Sequence, residues 1–163
     1  MNIIPKEVTL KITLAGTPVS RVLLVSDSIS LIELYTFITF LFEWDQMRNH
    51  AFRFKCNGNW VALNSKTTLA QLHLLPGEEM GFVYDYPAGK CLEHKIEVLS
   101  LQDLPKPLKD YVPTCTSAEY ASPGEDMRGL QSLKANWTEF SGKPAPELWL
   151  IDDSLSFFWK YSR

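Results

Sequence analysis

The stretch "SLIELYTFITFLFEW", residues 30 to 44, decides how the rest of the chain is read. Ser30 followed three residues later by Glu33 is a capping box, in which each side chain satisfies an amide donor at a helix start. Beyond it, Leu34, Ile38 and Leu41 recur at four- and three-residue spacing, the pattern of a helix with an apolar stripe. Leu31, Ile32, Tyr35, Phe37, Phe40 and Phe42 widen that stripe until little polar surface remains. Such a helix has to be covered on more than one side.

The flanking segments read as strands. "EVTLKITL" (7–14) sends Val8, Leu10, Ile12 and Leu14 to one face and Glu7, Thr9, Lys11 and Thr13 to the other. After "AGTP", "VSRVLLV" (19–25) predicts a second strand and so a hairpin. "AFRFKCNGNWVAL" (51–63) predicts two strands around an Asn-Gly-Asn turn. "TLAQLHLL" (68–75), with Thr68 and Gln71 as a capping pair and His73 at the core edge, predicts a short helix stopped by Pro76-Gly77. Strands over 80–86 and 94–101 make a hairpin with residues 87–93 at its tip. This order predicts an α+β fold, a mixed β-sheet packed against one main helix in β-grasp-like fashion.

From about residue 105 the chain changes character. "LPKPLKDYVP" is proline-rich and extended. A helix is expected from about Asp126 and an edge strand over 147–153, and the aromatic tail "SLSFFWKYSR" has to pack or attract a partner. Residues 1–163 are expected to form a single domain, with a core over about 8–104 and a C-terminal extension over about 105–163.

Apolar residues at 45% suffice for a core, and charged residues at 21% are too few for a disordered chain. With 16 Lys+Arg against 19 Asp+Glu the net charge is -3, which disfavours nucleic-acid binding through phosphates. Cys56, Cys91 and Cys115 are odd in number and far apart, so neither a disulfide framework nor a zinc knuckle is expected. "MNIIPKEVTL" lacks the features of a secretory signal, and Leu31 to Phe42 is too short to span a bilayer. A cytoplasmic protein with reduced thiols and no membrane partner is the expectation.

"YDYPAGKCLEH" (84–94) and "PGED" (123–126) hold the candidate chemistry. Asp85, His94, Glu125 and Asp126 are the candidate catalytic residues, with His50, Tyr84 and Glu93 as further binding residues. Carboxylates with imidazole hold a divalent metal or trade protons, which makes a metal-dependent hydrolase one reading. The spacing argues against it: there is no His-x-x-x-His, no His-Glu-x-x-His and no repeated Asp-x-Asp. Acids in a helix's first turn, as Glu125 and Asp126 would be, act as caps, and Asp85 and His94 flanking a turn tie loops together. Cys91 beside Lys90 and three residues before His94 has no orienting partner for a nucleophile–base pair. There is no phosphate-binding glycine loop. "HAFRFK" interleaves aromatics with Arg53 and Lys55, a stacking surface for nucleic acid or, as favoured here, an amphipathic strand with its Phe face in the core.

Three of these motifs, in order, resemble the plasmid pRiA4b ORF-3-like family. "SLIELYTFITFLFEW" and "RNHAFRF" match its helix and following strand, with Trp44 as the helix-ending tryptophan, His50 and Phe52 in place, and Arg48 where the family has a histidine. "YDYPAGKCLEHKI" keeps Tyr84, Asp85, His94 and Ile96 of the central signature, has Leu92 for its tryptophan, loses its Gly-Asp and is two residues longer. "VPTCTSAEYASPGEDMRG" places Pro113, Cys115, Ala121, Pro123, Glu125, Asp126 and Gly129 in corresponding positions. The resemblance covers about residues 8 to 140 and implies a family of uncharacterised function, associated with mobile elements. Without a convincing catalytic constellation, the chain is expected to be a binding or interaction protein with a protein partner and no cofactor. A metal-dependent hydrolase and a nucleic-acid-binding accessory protein are the alternatives.

Overall fold

The computed structural model describes residues 4–44, 49–84, 92–123, 131 and 133–162. Among these, seven strands form one sheet: β1 (Lys6–Leu14), β2 (Ser20–Ser26), β3 (His50–Cys56), β4 (Asn59–Ala62), β5 (Glu79–Tyr84), β6 (Leu92–Asp103) and β7 (Thr114–Glu119). Their order is β4-β3-β5-β6-β1-β2-β7. Every pairing is antiparallel, so the α+β class holds but the sheet is not the mixed one expected. Each neighbouring pair can close as a hairpin or a return, and no parallel crossover is needed.

The main helix, α1 (Leu31–Leu41), begins as its capping box dictates. Glu33 N donates to Ser30 Oγ at 3.3 Å, and Ser30 N donates to Glu33 Oε1 at 3.2 Å. It ends in a Schellman motif: Trp44 N donates to Thr39 O at 2.8 Å and Glu43 N to Phe40 O at 3.2 Å. Glu43 takes the left-handed conformation (φ 59°) that usually falls to glycine. Leu34, Ile38 and Leu41 are fully buried, as the stripe requires.

The sheet covers one side of α1 and a C-terminal helix the other. That helix, α3 (Leu148–Tyr161), follows the short α2 (Trp137–Ser141). Its buried residues Ile151, Leu155 and Trp159 recur every four positions, and Phe158 and Trp159 pack against Phe37 with centroids 5.7 and 6.1 Å apart. The strand expected over 147–153 is therefore the start of this helix. The C-terminal strand is β7 instead, which pairs with β2 at the sheet edge. Asp152 Oδ1 accepts from Cys115 N at 2.7 Å and so fastens α3 to that edge. The helix expected from Asp126 begins outside the described residues. The capping pair at Thr68 and Gln71 forms, with bonds of 2.9 and 3.2 Å, but supports only a single 3-10 turn, Ala70–Leu72.

On the sheet's other face, the proline-rich segment folds back over β1. Tyr111 Oη donates to Glu7 Oε2 at 2.8 Å and Gln102 Nε2 donates to Glu7 Oε1 at 2.6 Å, so the buried carboxylate has a donor on each oxygen.

Candidate functional site

The inward face of the sheet gathers three of the expected site residues into one aromatic cluster. Register places His50 opposite Tyr84 and Phe82 opposite His94. Because side chains alternate along a strand, Phe82, Tyr84 and His94 all point toward α1. Tyr35 of α1 stacks on His50, centroids 3.5 Å apart and planes 8° from parallel. Trp44, just past the helix, stacks on Tyr84 at 4.9 Å and 9°. Its indole Nε1 donates to Pro123 O at 3.1 Å.

His94 sits at the bottom of this cluster, with Phe42, Trp44 and Phe82 rings 5.2, 5.3 and 5.2 Å away. Its Nδ1 lies 3.1 Å from the carbonyl oxygen of Leu92. A carbonyl only accepts, so Nδ1 carries the proton, and Nε2 is a bare lone pair with no hydrogen-bond donor. Burial holds the ring's pKa down to about 4, so the imidazole is neutral near pH 7. Burial also lowers the pKa of half-buried His50. The cluster thus presents neutral rings without a charged acid, base or nucleophile among the described residues.

Glu93 does not join it. As the strand neighbour of His94 it projects from the opposite face, where its carboxylate accepts from Arg53 Nη2 at 2.9 Å. Asp85, Cys91, Glu125 and Asp126 lie outside the described residues. Among those described, no three His, Cys, Asp or Glu side chains stand together as a metal site. Cys115 is buried, and burial pushes its thiol up to about 11; Cys56 is exposed. Phe52 faces the core while Arg53 projects outward, the amphipathic strand that was favoured.

Two features were missed from the sequence. Arg21 lies in the inward row of β2, between Val19 and Leu23, and is fully buried. Its Nε donates to Leu41 O at 2.8 Å, Nη1 to Ser20 O at 2.7 Å and Glu119 O at 3.1 Å, and Nη2 to Ser122 Oγ at 2.8 Å. Its guanidinium carbon lies 4.9 Å from the centre of the Phe42 ring, which also packs against His94. Burial lowers its pKa to about 10, which leaves it a cation at neutral pH. A lone arginine at an inward position of an otherwise apolar strand was the available signal. The second feature is the outer face of α3, where Trp149, Leu150, Phe157 and Tyr161 are each half or more exposed. Reading 147–153 as a strand hid the helical spacing of these residues.

This is an α+β protein with a seven-stranded antiparallel sheet and a histidine-bearing aromatic cluster beneath its main helix. The chain belongs to the plasmid pRiA4b ORF-3-like protein family, whose model matches residues 6–147. It is also similar to a solved protein of unknown function, MM3350 from Methanosarcina mazei Go1, at 16% identity over 82% of each chain with a TM-score of 0.64. That likeness is one of fold. A search of curated proteins finds no match.

Proposed function

We propose that this chain acts by binding another protein, without catalysis of its own, through the outer face of α3. The observation that carries this reading is apolar surface at helical spacing in open water. Leu150, Phe157 and Tyr161 stand seven and four residues apart on one face, and the rings of Phe157 and Tyr161 pair at 4.6 Å. Phe157 and Tyr161 are 67% and 69% exposed, and covering rings of this kind contributes about 1.5–3 kcal/mol each. Clustered exposed aromatics are the composition of interface cores. The opposite face of the helix is anchored by Ile151, Leu155 and Trp159, so the surface is presented without an ordering penalty. The complementary partner offers an apolar groove to a helix.

The reading treats residues 1–163 as one unit in the cytoplasm. Supporting this, buried residues from Val8 to Trp159 share a core, Cys56 and Cys115 are free thiols, and no helix among the described residues is long and apolar enough to cross a membrane. Phe157→Glu and Tyr161→Glu test the proposal in the full chain, since both positions are exposed. With crosslinking in host lysate, the wild type is expected to retain a protein that both variants lose. Recovery of the same proteins by wild type and variants, or of none, would overturn the reading.

A further inference from the structure

The outward face of the sheet carries a second feature, away from α3. Residues of β3, β4, β5 and β6 line an open cavity of about 330 Å³, which Ala15 of the β1–β2 turn, Met80 and His94 also border. Its floor is Gly81, and the indole of Trp60 lies over it. A Cβ added at Gly81 would stand 3.3 Å from Trp60 Cζ3 and 3.3 Å from Arg53 Cγ, so glycine is what lets the indole settle onto the sheet. Half of the Trp60 surface is still open to solvent.

Arg53 is fixed on this floor from two directions. Its guanidinium carbon lies 4.5 Å from the Trp60 ring centre, and Nη2 is held by Glu93. Its Nε is buried and has no acceptor. A buried donor without an acceptor is destabilising, so the guanidinium is not fully satisfied by its neighbours in the chain. Lys55 and Lys95 line the same cavity with Glu79 and Glu93; Lys95 Nζ is held by Glu97 Oε1 at 3.1 Å, which leaves Lys55 as the lining cation without an ion pair among the described residues.

We propose that this cavity binds a planar anion, an aromatic ring bearing a carboxylate or phosphate. The ring stacks on the open part of Trp60, and the anionic oxygen pairs with Lys55 and with the exposed part of the Arg53 guanidinium. The volume falls at the small end of ligand pockets, as suits a compact ligand. Neither the indole nor the cations alone define this specificity; the pairing of the two does.

Benzoate and phenyl phosphate are the probes for the two anionic groups, with benzyl alcohol and inorganic phosphate as ring-only and anion-only controls. The readout is amide and indole chemical shifts of the labelled full chain. At least one planar anion is expected to saturate the Trp60 indole and Gly81 amide resonances with a Kd of about 1 mM or below. Both controls bind at least about ten-fold more weakly, and Arg53→Gln weakens the planar anion by about ten-fold or more. Should Arg53→Gln fail to fold, Gly81→Ala supplies the same test by pushing a methyl into the indole. No saturable shift with either planar anion, equal binding of a control, or unchanged binding by the folded variant would overturn the proposal.

Discussion

Replacing Arg21 by lysine should damage this fold more than replacing it by methionine. The guanidinium is fully buried and makes four hydrogen bonds, three of them to backbone carbonyls. Removing those donors orphans four acceptors, a loss of about 4–6 kcal/mol at about 1–1.5 kcal/mol each. Against this stands the burial of an unpaired cation. The fall in pKa from 12.5 to about 10, caused first by desolvation, corresponds to about 3 kcal/mol. Methionine fills much of the volume and removes the charge, so the net loss should be about 1–3 kcal/mol. Lysine keeps the charge but cannot span all four acceptors or lie flat on Phe42, so its loss should reach about 3–5 kcal/mol.

Urea unfolding at pH 7 measures the difference. Both variants should shift the midpoint without changing the slope. In thermal melts about 2–4 °C is expected for each kcal/mol in a chain of this size. A lysine variant as stable as, or more stable than, the methionine variant would refute the reasoning, because it would mean that charge rather than the forked geometry is what the site needs.

Two further outcomes follow from buried polar groups. The unfolded ring of His94 takes up a proton near pH 6.5 and the folded ring only near about 4, so its stabilising contribution is complete above pH 6.5 and is lost as the pH falls toward 4. The wild type should lose about 3 kcal/mol relative to His94→Phe across that window, measured as urea midpoints at stepped pH; parallel profiles would show the ring is not shielded. Tyr111→Phe leaves Glu7 with Gln102 as its remaining side-chain donor and should destabilise by about 1–2 kcal/mol, read as a lowered melting temperature at pH 7.

What could be read from the sequence depended on whether local pattern or distant pairing sets each element. β1, β2 and α1 were legible because each carries its own period, and Ser30 and Glu33 mark the helix start without help from elsewhere. β7 was not, because "TCTSAE" buries only Cys115 and owes its strand form to backbone pairing with β2. In α3 the run Leu148 to Ile151 is apolar in every direction, so period two and period 3.6 fit equally well until Leu155 and Trp159 are added. At the candidate site, Tyr84 and His94 were found by motif. Glu93 and His94 face opposite ways because they alternate on one strand; the sequence reading starts that strand at His94 and leaves Glu93 in the hairpin tip, whereas β6 begins at Leu92.

The C-terminal end of α1 is where these separate features become one. Leu41 supplies the carbonyl that Arg21 binds, Phe42 contacts both the guanidinium and His94, and Trp44 stacks on Tyr84 while bonding Pro123. Glu43, in the left-handed conformation, turns the chain so that Phe42 and Trp44 stack on each other, centroids 5.0 Å apart, over His94. Tyr84, His94 and Trp44, three of the residues that carry the family resemblance, are thus buried and uncharged, and they hold the helix end to the sheet. Tyr84, His94 and Trp44 are 0%, 3% and 7% exposed, so these rings are given over to packing. In the proposed reading, binding therefore falls to the surfaces this cluster supports, the outer face of α3 and the Trp60 floor of the opposite sheet face.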